Sequence, residues 1–358
     1  MVKGKFVFSC IIINMNGEKW LRNLFRSLKI AIAATRESMF EVIMIDNSST
    51  DSSIQIFEEE NGFDQRYKLI LNSLNVGWSP AINQGLEASS GEFVYLLSND
   101  MEVDEHSIVQ LNARFRELPR VGIIQFNSIS IFARKSQDSG RCYIDPMGFI
   151  YGYNAGNGID SVSFAEGMAF AVRRQVIVDV GLLDDSYYMM YDDVDYSWRT
   201  RLMGWDIILE PKAIVYHYRG GTIGKNFENM APKFITLATK NHLTTILKNT
   251  EFHNLMLTLP VAIFIKTLES VYLMLKVNSK KGLFNMYGIV STFINMRDIL
   301  KKRYIVQVTR RITDRQLFKS FHAHDLKMLV QGSILTNPST RGRMRKSNEE
   351  AMWYKKGV

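Results

Sequence analysis

At 358 residues the chain is long enough to bury a full core, and its ordinary proportions of hydrophobic (46%) and charged (22%) residues exclude a disordered protein. Its two distant cysteines, Cys10 and Cys142, form no CxxC pair, which excludes a disulfide framework and favours a reducing compartment. The net charge of +8 is uneven, because residues 1–229 carry 22 Lys+Arg against 29 Asp+Glu whereas residues 230–358 carry 22 against 7. An acidic body with a basic, apolar end argues against a nucleic-acid binder and favours an enzyme bound to a surface. Solvated charge on helix faces is the alternative.

The first predicted element is a short apolar run that leads directly into polar residues. Residues 7–13 form this run, and Asn14 and Asn16 follow it. A signal peptide needs a longer apolar region and a small-residue cleavage site. We therefore interpret the run as a buried first strand and expect the protein to be cytosolic.

Predicted strands and helices alternate along the first third of the chain, judged from apolar runs and from apolar residues at helical spacing. In chain order the strands are 7–13, 41–45, 67–71, 92–97 and 121–126, and the helices between them are 18–34, 52–60, 79–88 and 104–117. This alternation predicts an α/β fold with a parallel, wound sheet covered on both faces. Ligands of such sheets bind beyond the carboxyl ends of the strands.

The rest of the chain is less regular and then helical. Residues 128–163 are rich in Gly, Asn, Asp and Ser, which predicts an irregular excursion with short strands. A helix near 192–203 and two strands near 206–217 close the predicted catalytic body. We expect three regions: a catalytic domain over 1–229, a basic, amphipathic, mainly helical region over 230–332, and a loose basic tail over 333–358.

Carboxylates follow two of the predicted strands at the point where each strand ends. Asp46 can accept hydrogen bonds from a base or ribose there, whereas Thr50 or Asp51 fits the N-cap of the next helix. Asp100 precedes its helix by several residues, and oxygen ligands at a strand end suit a hard divalent cation. A single Asp cannot hold a metal ion, so this prediction needs a second ligand.

The segment from Asn75 to Gly85 combines a turn with Pro80 near a helix start. It is either a loop with a well-formed helix N-terminus or a loop in which Asn83 lies beside a nucleotide. The residues alone leave both interpretations open.

Three carboxylates crowd the start of the helix near 192–203. The helix dipole partly stabilises Asp192, Asp193 and Asp195, and Asp195 with Arg199 makes an i,i+4 pair. One carboxylate is left over, and it can serve as a general base that takes a proton from an acceptor hydroxyl. Crowding of like charges raises a carboxyl pKa and favours that role.

His217 ends the strand that precedes it and is a second candidate metal ligand. A neutral imidazole there can complete a metal site with Asp100. A lone His is more often structural, so the prediction depends on this partner.

Seven segments carry a resemblance to a known family. They occur in order over about residues 6–220 and read IIINMNG, IDNSSTD, NVGWSPAINQG, SND at a strand end, EGMAFAVRR, GLLDDSYYMMYDDVDYSWR, and GW followed by PKAIVYH. Together they resemble the family 2 glycosyltransferases of the GT-A fold, in particular the rhamnosyltransferase-like branch. The resemblance implies a mixed wound sheet with a Rossmann-like nucleotide-binding half. It also implies an inverting hexosyltransferase that uses a nucleotide-diphosphate sugar and Mg²⁺ or Mn²⁺.

The resemblance also assigns roles on the nucleotide side. Asp46 is expected to contact the nucleoside, with Asn14, Asn75 and Asn83 lining the same cleft. The Ser98-Asn99-Asp100 segment takes the place of the family's metal-binding DxD motif, with Asp100 and His217 as the ligands. Ser98 replaces the first Asp of that motif, so the segment offers one carboxylate fewer to a metal.

On the acceptor side the resemblance places Asp193 on the catalytic base of the family's ED motif, and Asp192 where Glu is usual. Glu166 and Gly167 are expected to line the acceptor or donor-sugar side. The implied mechanism is direct displacement at the anomeric carbon, with the metal stabilising the departing diphosphate. Rhamnose, galactofuranose and glucose-type donors all remain possible.

The C-terminal region contains a long apolar helix that is expected to have one polar stripe. Its charge-free run is shorter than the roughly 18 residues expected of a spanning helix. On a helical wheel Lys266, Glu269, Lys276 and Lys280 form a narrow stripe opposite a broad apolar face. Such a helix can lie in a bilayer interface, with the basic clusters within residues 301–311 meeting anionic headgroups or a lipid diphosphate. A soluble helical subdomain or a dimer interface is the alternative.

The family's use of lipid-linked or cell-envelope acceptors favours the membrane. We therefore expect a cytoplasmic enzyme, peripheral on the inner face of the membrane, with a glycan or lipid-linked acceptor and no nucleic-acid partner; a homo-oligomer stays open. Two other functions also stay open, a non-catalytic scaffold and a nucleotidyltransferase. The second more often has a Gly-rich loop with a basic residue after its first strand, and INMNGEKW has one glycine.

Overall fold

A computed structural model of the chain describes residues 6–62, 64–131, 141–153, 160–218 and 231–319. The strands are β1 Phe8–Asn14, β2 Phe40–Asp46, β3 Tyr67–Leu71, β4 Phe93–Ser98, β5 Met101–Val103, β6 Val121–Ser130, β7 Arg141–Ile144, β8 Ile150–Tyr153, β9 Asp160–Ser161, β10 Ala169–Arg173 and β11 Asp206–His217. The helices are α1 Glu18–Ala34, α2 Ser53–Asn61, α3 Trp78–Ala88, α4 Ser107–Glu117, α5 Arg174–Val180, α6 Asp192–Leu202, α7 Pro232–Asn249, α8 Phe252–Tyr272, α9 Ser279–Ile294, α10 Met296–Thr309 and α11 Asp314–Lys319. A π-helical turn, Leu273–Val277, extends α8.

One mixed sheet organises the fold, with the strand order β3-β2-β1-β4-β10-β6-β11-β5 and β9 attached to β11. Strands β3, β2, β1 and β4 are parallel, so their carboxyl ends meet at one edge. Side chains of β1 alternate between two buried layers, with Cys10 and Ile12 facing the layer of α1, and Ile11 and Ile13 facing the layer of α3. The predicted wound sheet with two covered faces is therefore confirmed, as is a mixed sheet with a helical C-terminal region.

Two predicted details of the sheet are wrong. The alternation of strands and helices predicted a parallel sheet, but β10 runs antiparallel between β4 and β6, and β5 runs antiparallel to β11. The two strands expected near 206–217 are one strand, β11, whose register with β6 shifts between Glu210 and Ile214. Pro211 lies in that interval and cannot donate to a ladder, which accounts for the apparent break in the sequence pattern.

The first helix of the C-terminal region packs directly on the catalytic body. On α7, Lys248 forms ion pairs with Asp184 at 2.6 Å and with Asp195 at 3.0 Å, and Thr245 is hydrogen-bonded to the Tyr187 hydroxyl at 2.8 Å. Helix α7 is thus continuous with the packing around α6. The expected boundary near residue 229 and the expected tail over 333–358 lie outside the described residues.

Helices α8 and α9 carry polar side chains inward and apolar side chains outward. Lys266 and Glu269 are 5% and 3% exposed and pair at 2.8 Å, and Asn285 of α9 is also buried. The outward face of these helices bears large exposed apolar side chains: Phe252, Met256, Leu257, Val261, Phe264, Leu268, Val271, Leu275, Leu283, Tyr287, Val290 and Ile294. This is the reverse of the arrangement in a helix of a water-soluble protein.

Among the described residues, one helical segment is long and apolar enough to cross a membrane by length and composition alone. It is Phe252–Val277, and 28% of its most apolar window is buried within the protein.

Candidate active site

Asn14, at the end of β1, is the centre of a hydrogen-bonded row along the carboxyl edge of the sheet. Its Nδ2 donates to Asp46 Oδ2 at 2.7 Å and to Ser49 Oγ at 3.1 Å, and its Oδ1 accepts from Asn99 Nδ2 at 2.8 Å. Asp46 also accepts from the Ser49 backbone N–H and hydroxyl, at 2.8 and 2.6 Å. The ends of β2, β1 and β4 are therefore joined by side chains, and the structure brings Asn14, Asp46 and Asn99 together as predicted.

Asp100 and His217 lie side by side at the same edge. Asp100 Oδ2 is 3.2 Å from His217 Nε2, and Asp100 Oδ1 accepts from the Ser98 hydroxyl at 2.6 Å. Backbone pairing fixes this contact, since Met101 of β5 pairs with His217 of β11 and the Tyr218 N–H donates to the Asp100 carbonyl. The carboxylate and imidazole predicted to share an ion are thus in direct contact.

Asp100 and His217 fit a divalent cation whose coordination is completed by other groups. Two cis ligands of an octahedral Mg²⁺, each about 2.1 Å from the metal, are separated by about 3 Å, close to the observed contact of Asp100 with His217. No group of three or more His, Cys, Asp or Glu side chains that could hold a metal occurs within the described ranges. For an ion held by Asp100 and His217, diphosphate oxygens and water would supply the remaining ligands, as is usual for Mg²⁺.

Asp193 is tied to the start of β10, next to the end of β4. The Gly167 N–H donates to Asp193 Oδ2 at 2.8 Å, and the Ser98 N–H donates to the Met168 carbonyl at 3.0 Å. A Cβ at Gly167 would lie 3.3 Å from Asp193, so the glycine allows this close approach. Two adjacent residues, Gly167 and Met168, therefore connect the half-buried Asp193 to the strand that leads to Asp100.

The three carboxylates at the start of α6 have different environments. Burial tends to raise the pKa of Asp195, but Lys248 and Arg199 outweigh it and lower that pKa; Arg199 Nε is 2.9 Å from the carboxylate. Burial raises the pKa of Asp192 to about 8, and the charge of Asp193 adds to the effect. Burial also raises the pKa of Asp193, although the N–H groups of Gly167 and Val194 oppose it. The predicted Asp195–Arg199 pair is present, and two carboxyls with raised pKa values remain.

Asn83 and Asn75 have their side-chain groups engaged with nearby protein. Asn83 donates to the Leu183 carbonyl at 2.9 Å and accepts from its N–H at 3.0 Å, so it joins α3 to the segment before α6. Asn75 Oδ1 accepts from the Gly77 N–H at 2.9 Å, and its Nδ2 lies 2.9 Å from the Met15 sulfur. For Asn83 the structure thus shows an anchoring contact where the resemblance implied a cleft-lining one.

The structure also places three further residues named from the sequence. Glu166 contacts the buried Cys142 thiol, at 3.4 Å, beside Gly167. Neither Thr50 nor Asp51 is the N-cap of α2, which begins one residue after Ser52. Asp51 instead accepts from the N–H groups of Glu18 and Ser53, so it serves the first turns of both α1 and α2.

Sequence reasoning missed the residues that hold the candidate site in place. Ser49 stands in the IDNSSTD block and contacts Asp46, but a serine in a turn has no distinctive pattern. Asn241 of α7 contacts the loop before α6 and lies 51 residues from Met190, its partner in one of these bonds. Only the three-dimensional structure reveals such a contact, because no local spacing links the two segments.

Comparisons with known proteins agree with this fold. The family model described as Glycosyl transferase family 2 matches residues 9–181, within the stretch whose motifs resemble that family. The chain is 25% identical over 190 residues to a poly-beta-1,6-N-acetyl-D-glucosamine synthase of Staphylococcus epidermidis, covering 51% of this chain and 44% of the relative. The corresponding synthase of Staphylococcus aureus (strain COL) is 26% identical over 202 residues, with 54% and 46% covered. The chain thus matches less than half the length of these curated relatives.

Solved structures show the same fold. S. aureus TarS 1-349 has a TM-score of 0.55 at 16% identity, covering 84% of this chain and 86% of that one. The same fragment in complex with UDP-GlcNAc has a TM-score of 0.56 with the same coverage. GalNAc-T7 with UDP, GalNAc and Mn²⁺ has a TM-score of 0.55 at 13% identity, covering 82% and 57%. The protein therefore has the GT-A glycosyltransferase fold.

Proposed function

We propose that this protein is an inverting glycosyltransferase that moves a sugar from a nucleotide-diphosphate donor to an acceptor hydroxyl. The observation that carries the proposal is the convergence of Asp193 with the Asp100–His217 pair at one edge of the sheet, linked through Gly167 and Met168. Direct displacement needs a base on the acceptor side and positive charge at the departing diphosphate.

Asp193 is the proposed base. It is less buried than Asp192, and its pKa is raised, which suits a carboxylate that must accept a proton. As the acceptor oxygen forms its bond to the anomeric carbon, its proton passes to Asp193. The bond from that carbon to the diphosphate oxygen breaks on the opposite face, and the electron pair leaves with the diphosphate. The product therefore has the inverted configuration.

Asp100 and His217 are the proposed ligands of Mg²⁺ or Mn²⁺. When bound, the ion would supply positive charge to the diphosphate. Asn14, Asn99 and Asp46 form the proposed nucleotide side of the cleft, where their mutual hydrogen bonds fix their orientation before the donor binds. Asn75, Glu166, Gly167 and Asp192 remain proposed lining residues of the site.

The donor is to be sought first among UDP-N-acetylhexosamines. The relatives named above include poly-N-acetylglucosamine synthases, and TarS has been crystallised with UDP-GlcNAc. A role in making a polysaccharide follows from the same relatives. A rhamnosyl donor, suggested by the sequence motifs, is the comparison substrate for the screen.

The test is donor turnover across nucleotide sugars with Mg²⁺ or Mn²⁺, for the wild type and three variants. Asp193→Asn is expected to abolish transfer and leave donor affinity nearly intact. Asp100→Ala is expected to lose donor binding that depends on metal, and Asp104→Asn serves as a nearby control outside the proposed site. Absence of turnover with every donor would favour a scaffold, and release of diphosphate from a nucleoside triphosphate would favour a nucleotidyltransferase.

We place the enzyme on the cytoplasmic face of a membrane, with an acceptor held at that surface. The reversed polarity of α8 and α9 supports this placement, because the polar pair Lys266–Glu269 is buried while the apolar face is open. Lys276, in the π-helical turn after α8, and Lys280, in α9, are exposed cations and are complementary to anionic headgroups. Part of the expected basic clusters pairs with the protein itself, since Lys302 forms an ion pair with Asp184.

Vesicle flotation tests the membrane contact. Full-length protein is expected to float with vesicles that contain an anionic lipid, and Phe264→Asp combined with Leu283→Asp is expected to prevent it. Val178→Asp is the matched control, because Val178 is an exposed apolar residue of α5 in the catalytic body. A wild type that never floats, but forms dimers disrupted by the double substitution, would show that the face is an oligomer interface.

A further inference from the structure

The loop between the 3₁₀ turn Asp185–Tyr187 and α6 has an unusual backbone. Tyr188, Met190 and Tyr191 have φ angles of 61°, 73° and 62°, in the left-handed region that side chains other than Gly rarely adopt. Tyr191 is also the N-cap residue of α6, two positions before Asp193. The conformation of this loop therefore determines where the first turn of α6 begins and where Asp193 points.

Asn241 of α7 hydrogen-bonds to the backbone of this loop. Asn241 Nδ2 donates to the carbonyls of Tyr187, Met189 and Met190 at 3.0, 2.9 and 2.8 Å. Asn241 is fully buried, and because its amide group has two hydrogens, the three carbonyls share them. A buried carbonyl without a donor is unfavourable, so these contacts favour the strained conformation over alternatives that turn the carbonyls away.

The opposite side of the loop contacts the start of α3. The Tyr188 carbonyl accepts from the N–H groups of Trp78 and Ser79, at 2.6 and 3.2 Å. Gly77 leaves room for Tyr188, since a Cβ there would lie 2.5 Å from the tyrosine ring. Backbone groups of α3 thus fix Tyr188, whereas Asn241 contacts the residue before it and the two residues after it.

We infer that Asn241 is a positioning residue for the proposed base, acting through the Tyr187–Tyr191 loop. This inference rests on the proposed function, in which Asp193 takes the acceptor proton. Without the Asn241 amide, the loop relaxes toward ordinary backbone angles and the first turn of α6 shifts. Asp193 then loses its hydrogen bond from the Gly167 N–H, which otherwise favours its ionised form.

The expected effect is on catalysis more than on donor binding. A displacement of about 1 Å at a reacting group costs roughly 100-fold in rate, so Asn241→Leu is expected to lower kcat by about that factor. The donor Kd is expected to stay within about twofold, because the row from Asn14 to Asn99 lies on other strands. Loss of the Gly167 contact raises the pKa of Asp193, so the acid limb of the kcat–pH profile is expected to move to higher pH.

Thr239→Val is the matched control on the same helix. Thr239 is buried and donates to Asn285 of α9, so its substitution also removes a buried hydrogen bond, but away from the loop. We expect Thr239→Val to lower the unfolding temperature and leave kcat and the pH profile unchanged. Asn241→Ser keeps one donor and is expected to have an intermediate kcat; it decides the test if Asn241→Leu does not fold.

The outcomes separate this inference from the proposed function. If Asp193→Asn abolishes transfer but the folded Asn241 variants keep a wild-type kcat and pH profile, the positioning role of Asn241 is wrong. The assignment of Asp193 as the base is then retained. If Asn241→Leu lowers kcat only as much as Thr239→Val does, Asn241 contributes to stability alone. If Asp193→Asn transfers as well as the wild type, the proposed function itself fails.

Discussion

Lys248 is a buried cation whose removal has a predictable cost. Its side chain is 2% exposed, and its Nζ lies 2.6 Å from Asp184 Oδ2 and 3.0 Å from Asp195 Oδ1. Lys248→Met keeps the aliphatic volume and removes the charge. Both carboxylates then stay buried with one cation fewer, which typically destabilises a protein by about 3–5 kcal/mol.

The remaining partners place the expected value at the lower end of that range. Asp195 keeps Arg199 at 2.9 Å, and Asp184 keeps Lys302 at 2.7 Å. We therefore expect Lys248→Met to lower the free energy of unfolding by about 3 kcal/mol at pH 7. With an unfolding entropy of about 2.1 cal/mol/K per residue over 358 residues, this corresponds to a fall of about 4 °C in Tm.

The sign of the pH dependence follows from the same contacts. Burial tends to raise the pKa of Asp184 and of Asp195, but Lys248 together with Lys302 at Asp184, and with Arg199 at Asp195, outweighs it, and both pKa values lie below the usual range. Such groups stabilise the fold above their unfolded pKa of about 3.9, and this contribution is lost as the pH falls through the folded pKa. The difference between wild type and Lys248→Met is therefore expected to be full at pH 7 and to shrink as the pH falls below about 4.

Urea unfolding at pH 7 and at pH 3.5 is the assay. Lys240→Met is the control on the same helix, because Lys240 is half-buried and donates to the Ser186 carbonyl. Adding Asp184→Asn to Lys248→Met is expected to recover part of the loss, since one unpaired charge is removed. A loss below about 1 kcal/mol at pH 7, or an equal loss at both pH values, would refute the reasoning.

The site gives four further predictions. Gly77→Ala is expected to lower the free energy of unfolding by about 3 kcal/mol, because φ of 100° and ψ of 176° suit only Gly and the new Cβ meets Tyr188. Burial raises the pKa of Asp192 to about 8, above its unfolded value of about 3.9, so wild-type stability is expected to fall as the pH rises from about 4 to about 8 and to level off above that; Asp192→Asn is expected to reduce that fall. For transfer, kcat is expected to rise with pH through the raised pKa of Asp193. His217→Gln is expected to raise the Mn²⁺ concentration needed for half-maximal activity at least about tenfold.

Each of the three substitutions has a matched control. Gly204→Ala tests the effect of a positive φ alone, since φ is 86° and no atom lies within 4 Å of the added Cβ; equal losses at both glycines would contradict the steric argument. Asp206→Asn, at a half-exposed carboxylate, should leave the loss of stability between about pH 4 and 8 unchanged. His106→Gln, at an exposed histidine, should not alter the metal dependence, and a shared response with His217→Gln would argue against a ligand role.

The order of elements on the nucleotide side was predictable because its signals are local. Helix α1 has the bounds expected from apolar spacing, and strand β3 lies where its run indicated. Asp100 and His217 were predicted to meet because both end strands, and strand ends of one sheet share an edge. Their contact depends on the three-residue strand β5, which is too short to give a pattern of its own.

Contacts between distant segments could not be read from the sequence. Strand β10 is antiparallel because the chain between β6 and β10 returns to the sheet from the other direction, and no local pattern encodes that direction. Asn83 looked like a ligand residue because polar side chains after a turn often are. Its partner Leu183 lies 100 residues away. The sequence near Asn83 therefore cannot distinguish an asparagine that anchors another segment from one that binds a ligand.

The packing of α7 has a practical consequence for the construction of chimeras. Its buried face supplies Asn241, Lys248 and Asn249 to the segments on either side of the α6 start, whereas the apolar core of α8 and α9 is shared with α7. A hybrid that exchanges α8 and α9 between relatives should therefore place its first junction after Asn249. A junction placed where the last strand ends would separate the sheet from α7, the helix that holds the segments around the proposed base.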